Sequence, residues 1–380
     1  MHNILHVVNI YFVLPYFIGD QFLYFTNKGN KLHVICSPSP LLKGYSDKMQ
    51  FKYQEVDIVR SIKPLKDIKA LFTICRYIKT NHINIVIGHT PKGALLAMLA
   101  AFLMGVPRRI YFRHGLVYET MHGFQRELMK FLDRLTASCS TKVVCVSPSL
   151  FARSLEDHLN SEKKQIILGK GTCGGIDALS KFNPEKITQL KFNYLRESLM
   201  IKTSDFVIGY CGRLVIDKGI IELVDAFSQL NKKSETETKL LLVGDFEERN
   251  SLPKHMIEKI RNNKNIITTG FIFQNIEYYY ALMNIFILPS YREGFGISVL
   301  EASAMQIPVL TTRATGCIDS IIEDVTGKFI ANDSNSIANA IEFYINNPLI
   351  AKEHGKNGRE FVIKYFDQKI IWQEIEKLYD

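Results

Sequence analysis

The sequence predicts an α/β protein built on two doubly wound parallel sheets, and three observations predict it. Short, continuous apolar segments rich in β-branched residues alternate with longer amphipathic stretches along the whole chain. That alternation marks parallel sheets covered by helices on both faces. At 380 residues the chain also exceeds what a single core usually holds. Finally, the alternation breaks once: residues 177–204, "DALSKFNPEKITQLKFNYLRESLMIKTS", are charged, contain Pro184 and lack a strand, as a linker would.

In order, the first half offers strands at "ILHVVN", "KLHVIC", "INIVIG", "RRIYFR", "KVVCVS" and "QIILGK". The second half offers "FVIGYCG", "KLLLVGD", "NIITTGF", "IFILPS" and "IPVLTT". Between them, "DIKALFTICRYIKT", "ELMKFLDRLTAS", "IIELVDAFSQLNK" and "SIANAIEFYINN" carry apolar residues at helical spacing. The boundaries that follow are a Rossmann-like domain at 1–176, the linker at 177–204, and a second Rossmann-like domain at 205–360. A helical end at 361–380 holds the only tryptophan, Trp372.

Composition narrows the class. Hydrophobic residues make up 47% of the chain, enough for a proper core in each domain. The seven cysteines are scattered, odd in number and never spaced as CxxC, which argues against a disulfide framework and a zinc site and for a reducing cytoplasm. The apolar start, "MHNILHVVNIYFVLPYFIGD", has no Lys or Arg before its apolar run and no small-residue cleavage site, so it reads as a first strand. The run "ALLAMLAAFLMGV" is about two thirds of a membrane span and reads as a buried helix.

The charge of +9 is unevenly spread. Residues 1–195 carry 26 Lys and Arg against 13 Asp and Glu, a net +13, and the remainder is −4. A basic first half suits an anionic membrane surface or a phosphate-bearing partner, or is simply a solvated surface. No basic run interleaved with aromatics and no RNP-like or zinc signature points to nucleic acid.

Open α/β sheets bind ligands at the carboxyl ends of their strands, so the loops after the second-half strands are the places to look. After "FVIGYCG", the stretch "RLVIDKG" puts Arg213 and Lys218 before a helix starting near Ile220. A guanidinium fork and an ammonium there can clamp a diphosphate, or can be two solvated surface cations. After "IFILPS" comes "EGFGISVLE", with Glu293 and Glu301 at its ends. On one continuous helix they would sit roughly 12 Å apart along the axis, too far to act on one bond, and Gly294 and Gly296 argue against helix there. Ser298 with Glu301 three residues on matches a capping box, predicting a helix start at Ser298 with Glu301 in its first turn. Gly294 and Gly296 let backbone approach a ligand, and the helix start offers N–H groups to an anion. The two acids then suit sugar hydroxyls on either side of a diphosphate, the outline of a nucleotide-sugar site. A third loop, "RATGCIDSI", has Gly316 before what reads as another helix start, or a plain turn glycine.

These residues resemble a known family. "GRLVIDKG", "GF" at 270–271, "SYREGFGISVLEASAMQIPVLTT" and "TGCIDSII" look like the retaining glycosyltransferases of family 4, GT-B enzymes of bacterial surface polysaccharide and lipid-linked oligosaccharide synthesis. The E-x7-E motif is matched in full, and its neighbouring loops fall in the family's order. The resemblance implies two domains facing a cleft, an N-terminal acceptor domain and a C-terminal nucleotide-sugar domain, with the terminal helix crossing back onto the first. It implies that Arg213 and Lys218 hold the donor diphosphate, Glu301 the ribose and Glu293 the donor sugar. Backbone N–H groups around Gly294, Gly296 and Ser298 would face the distal phosphate and sugar, and Phe271 to Phe273 would lie by the nucleobase. A histidine after an N-domain strand reaches the donor sugar in such enzymes, and "RRIYFRHG" puts His114 there. The match is strong over 209–330 and looser in the first half, where "YFVLPYFIGDQF", with Gly19 alone, stands in for the family's glycine-rich loop.

The expected activity is transfer of a hexose or N-acetylhexosamine from a UDP-linked donor to a glycan or polyprenyl-diphosphate-linked acceptor, with retention. No Asp-x-Asp motif is present, so Arg213 and Lys218 would stand in for a metal and no cofactor is expected. The protein would be cytoplasmic and peripheral on the inner face of the plasma membrane. The rival readings are a nucleotide-sugar epimerase of similar fold and a non-catalytic sugar-binding scaffold.

Overall fold

The structure, a computed structural model, describes residues 1–230, 237–248 and 250–380. It divides into two compact units, Met1–Gly175 with Lys369–Asp380, and Ile176–Gln368.

The first unit holds seven strands: β1 (Asn3–Val7), β2 (Lys31–Cys36), β3 (Lys52–Glu55), β4 (Ile85–Gly88), β5 (Arg108–Arg113), β6 (Lys142–Cys145) and β7 (Gln165–Ile166). All pair parallel, in the order β3-β2-β1-β4-β5-β6-β7. The six expected strands are present, although "QIILGK" contributes only two residues. β3 was not expected, because "KYQE" is an edge strand with one neighbour and mostly exposed side chains, so it shows no apolar run. The segment after β1 forms a π-helical turn, Leu14–Ile18, closed by the Gly19 N–H donating to the Leu14 carbonyl at 2.8 Å. Residues 94–103 of "ALLAMLAAFLMGV" lie in the helix Pro91–Leu103, which buries Ala94, Leu96, Ala97, Met98, Ala100 and Ala101 but leaves Phe102 and Leu103 exposed.

The second unit holds β8 (Phe206–Cys211), β9 (Thr238–Val243), β10 (Ile266–Thr268), β11 (Ile285–Leu288), β12 (Val309–Thr312) and β13 (Gly327–Ile330). These also pair parallel, in the order β10-β9-β8-β11-β12-β13. β13, "GKFI", is the strand here that apolar runs did not reveal. Residues 177–204 belong to this unit and contain a helix, Gln189–Ser198. The stretch "IIELVDAFSQLNK" forms the helix Ile220–Leu230, and its last two residues lie outside the described residues.

The chain's end is two helices rather than one, Pro348–Phe366 and Gln368–Glu376, broken at Asp367, whose ψ of 136° leaves the helical region. Lys369–Asp380 joins the first unit, where buried Trp372 packs its ring 5.1 Å from that of Tyr24. All seven cysteines are free. Among the described residues, no helix is long and apolar enough to cross a membrane.

Each sheet has one topological switch point. In the first, the chain winds from β1 to β2 and β3 on one side and resumes at β4 on the other. In the second, it winds from β8 outward to β9 and β10 and resumes at β11. The crevice beyond the carboxyl ends of those paired strands is where such sheets take ligands.

Candidate functional site

The second unit's switch point carries the candidate site. After β8 the backbone turns through Gly212 and Arg213 into a short 3-10 turn, Ile216–Lys218, before the helix Ile220–Leu230. Gly219 joins turn to helix at φ +71°, and a Cβ there would stand 2.1 Å from the Pro289 carbonyl oxygen. Only glycine lets the β8 loop press against the β11 loop this closely.

That contact brings Lys218 onto Glu293. The Lys218 Nζ donates to Glu293 Oε1 at 2.5 Å, with both side chains more than four fifths buried. Arg213 donates through Nη1 to Glu247 Oε2 at 3.0 Å, and its Nη2 lies 3.9 Å from Asp217 Oδ2. Arg292 donates to the same Asp217 oxygen at 2.9 Å, and the backbone oxygen of Asp217 accepts from Tyr291 N–H and the Ser290 hydroxyl. Lys218 is therefore largely buried and paired, whereas Arg213 is paired but its side chain remains 43% exposed. Each is held by a carboxylate, an alternation of charge that fixes both side chains beside the switch point.

The β11 loop leads through Gly294 and Gly296 into the helix Ile297–Ala304. The expected capping box is absent. Gly296, not a serine, caps the helix, no side chain caps it, and Glu301 sits two residues further in than expected, past the first turn. The Glu301 carboxylate is buried and accepts from the Tyr280 hydroxyl at 2.7 Å. Burial raises its pKa, while the Tyr280 hydrogen bond and the charge of Lys181 pull it back. Its field also helps burial push the Cys211 thiol, at the end of β8, up to about 12. Glu301 thus belongs to the carboxyl end of the sheet and bonds Tyr280, whereas Glu293 bonds Lys218. Ser298 is buried in the first turn of the helix, where the Ile297 N–H donates to the Phe295 carbonyl at 2.7 Å and the Val299 N–H to the Gly296 carbonyl at 2.9 Å.

The third loop does not start a helix; residues 313–320 are turns. Gly316, at φ +79°, packs so close that a Cβ would meet the carbonyl oxygens of Gly294 at 2.6 Å and Glu293 at 2.8 Å. The Glu293 N–H donates to the Thr315 carbonyl at 3.0 Å. The loop after β12 thereby braces the loop that carries Glu293. Phe271 and Phe273 lie after β10, both exposed, with ring centroids 4.5 Å apart at 66°.

His114 lies in the first unit, directly after β5, half-buried, its ring stacked on Phe17 at 4.6 Å and 11°. Phe17 comes from the π-helical turn that replaces the expected glycine-rich loop. His114 Nε2 is 3.0 Å from His89 Nδ1, and His89 Nε2 is 3.1 Å from His6 Nδ1. Sequence reasoning missed Tyr280, Lys181, Arg292, Glu247, His6 and His89. His89 had a readable signal, since it follows a strand as His114 does; the others are set by long-range packing.

The family described as "Glycosyl transferases group 1" matches residues 192–361, and "Glycosyl transferase 4-like" matches residues 4–147. The "Capsular polysaccharide biosynthesis glycosyltransferase CapM" of Staphylococcus aureus is 33% identical over 380 residues, covering 100% of this chain and 97% of that one. The chain is a group 1 glycosyltransferase. The glycosyltransferase is also 24% identical over 374 residues to an Escherichia coli protein, covering 95% of this chain and 91% of that one. That relative is described as "UDP-Gal:alpha-D-GlcNAc-diphosphoundecaprenol alpha-1,3-galactosyltransferase". Its fold matches that of Anabaena HepE, solved in complex with UDP-glucose, at TM-score 0.81 and 18% identity over the whole of both chains. The two doubly wound parallel sheets are those of the GT-B fold.

Proposed function

We propose that this glycosyltransferase moves a hexose or N-acetylhexosamine from a UDP-linked donor to a glycan or polyprenyl-diphosphate-linked acceptor in surface polysaccharide synthesis, with retention and without a metal. The observation that carries the reading is the Lys218–Glu293 pair at the second switch point, with Arg213 held in the same loop. The capsular role of the Staphylococcus aureus relative and the named donor and acceptor of the Escherichia coli relative support it.

In this reading Arg213 and Lys218 receive the diphosphate and stabilise the charge that develops on it as the glycosidic bond breaks. Cations already oriented by carboxylates need little reorganisation at that moment. They take the place of a divalent ion. Glu293 keeps one oxygen on Lys218 and has lone pairs left for sugar hydroxyls, which ties sugar recognition to the phosphate clamp. Glu301 accepts from ribose hydroxyls. Backbone N–H groups around Gly294, Gly296 and Ser298, at the start of the helix Ile297–Ala304, meet the distal phosphate. Phe273 lies by the base, and His114 meets the donor sugar. No carboxylate is assigned as a nucleophile; attack comes from the face the diphosphate leaves.

We also propose that the protein works at an anionic membrane surface on the cytoplasmic side. The helix Pro64–Thr80 supports this: Leu65, Ile68 and Phe72 are exposed on one face, interspersed with exposed Lys66, Lys69, Arg76 and Lys79.

Release of nucleoside diphosphate from a panel of UDP- and GDP-sugars, with and without a synthetic polyprenyl diphosphate N-acetylhexosamine and in the presence of EDTA, tests the reading. Release from a UDP-sugar that requires the acceptor, persists in EDTA and yields an α-linked product from an α-linked donor supports it. Donor conversion without acceptor favours the epimerase, and donor binding without release favours the scaffold.

A further inference from the structure

Three histidines form a continuous hydrogen-bonded chain across the first unit's switch point. His6 lies in β1, and His89 and His114 directly follow β4 and β5; these three strands are neighbours in the sheet. The links are His6 Nδ1 to His89 Nε2 at 3.1 Å and His89 Nδ1 to His114 Nε2 at 3.0 Å. The rings also stack, with centroids 5.4 Å apart between His6 and His89 and 5.3 Å between His89 and His114. Phe17 covers His114 and Phe22 abuts His6 at 5.4 Å. His6 and His89 are almost wholly buried, and among the described residues no carboxylate hydrogen-bonds or ion-pairs with any of the three imidazoles.

A nitrogen–nitrogen hydrogen bond needs one N–H and one lone pair. A neutral imidazole has one of each, so once His89 uses both nitrogens the whole chain has two self-consistent arrangements. In one, every N–H points from His6 towards His114, and His114 carries its proton on Nδ1. In the other, every N–H points back, and His114 Nδ1 is a lone pair. Mixed arrangements set two N–H groups or two lone pairs against each other in a buried site, which leaves a hydrogen bond unmade where no solvent replaces it. A charged member would carry an N–H on both ring nitrogens in a buried site with no carboxylate bonded to it, and burial pulls His6 and His114 down to about 3.

We propose that His6 and His89 are positioning residues for sugar transfer, which hold His114 neutral and lock its tautomer to their own, so that its Nδ1 meets a sugar hydroxyl with the hydrogen-bonding sense the whole chain adopts. The proposal rests on the assignment of His114 to the donor sugar, but the tautomer chain itself does not depend on that assignment. It differs from a packing role, because a phenyl ring at position 89 preserves the stack while removing both links.

The test is long-range ¹H–¹⁵N correlation spectroscopy of the ¹⁵N-histidine-labelled full chain at neutral pH, for wild type, His89→Phe and His6→Phe. In the wild type, His89 and His114 should each show one protonated and one bare nitrogen. In His89→Phe the two His114 nitrogens should move toward averaged shifts, and in His6→Phe the same should happen to a smaller degree. The kcat of His89→Phe should fall roughly 10- to 100-fold, the range typical of losing a group that orients a functional histidine, with donor KM and circular dichroism little changed. Averaged His114 shifts in the wild type, or His114 shifts unmoved in both variants, would overturn the proposal. Should His89→Phe not fold, His6→Phe still decides it. If the spectra behave as expected but no donor is turned over, the chain stands and the sugar-transfer assignment fails.

Discussion

Glu301 shows how one residue's surroundings set its behaviour. Its carboxyl is buried, so its pKa is raised from the ordinary 4.5, with Tyr280 and Lys181 opposing the rise. The folded state therefore keeps a proton that the unfolded chain gives up near pH 4.5. This contribution to stability is fully present below that value and is lost as pH climbs through the raised folded pKa. Glu301→Gln should flatten that part of the pH dependence in urea unfolding measured between pH 4 and 8, and an unchanged slope would assign it to other groups. At this scale the sequence was partly legible. Glu293, Lys218, Arg213 and Glu301 stand out by their spacing and loops, but the Lys218–Glu293 bond joins residues 75 apart, and no local pattern announces it. The same holds for His6 and His89, 83 residues apart.

At the scale of elements, the loops after β8, β11 and β12 hold one another through glycine contacts. Gly316 is the brace under Glu293, and Gly316→Ala has to fit a side chain into a left-handed backbone where carbonyl oxygens already stand. The variant should lose about 1–3 kcal/mol, the usual cost of such strain, and its donor KM should rise because the Glu293 loop must move. An unchanged melting temperature with an unchanged KM would contradict the bracing role. The strands were legible because a parallel sheet buried on both faces demands continuous apolar runs. The exceptions were physical ones: β3 is an exposed edge, and β13, with only half its residues buried, is "GKFI". The capping box failed because Ser298 lies inside the helix, where its side chain does not cap, and the Glu301 carboxylate bonds Tyr280 instead. The loop with Gly316 left two readings open, a helix start or a plain turn glycine, and the second holds, because a glycine in a turn looks alike whether it caps a helix or props a neighbouring loop.

At the scale of the molecule, charge and exposed apolar surface coincide. The first half is net +13, and its helix Pro64–Thr80 turns Leu65 and Phe72 outward at 86% and 70% exposure among lysines. Each basic residue near an anionic bilayer contributes about 1 kcal/mol, and apolar side chains add by burial at the interface. The protein should pellet with phosphatidylglycerol vesicles at low salt and far less with phosphatidylcholine. A double variant, Leu65→Ser with Phe72→Ser, should pellet less at equal salt. No pelleting with the anionic vesicles at low salt would count against a membrane role. The proposed donor site is narrower still: in it, the loops after β8 and β11 would grip a nucleotide-sugar diphosphate through Lys218. Release of UDP in the presence of acceptor, compared between wild type and Lys218→Ala, tests it most directly. With circular dichroism unchanged, the variant should lose roughly 10²- to 10³-fold in kcat, the cost of removing one preorganised group that stabilises developing charge; rates near wild type would contradict it.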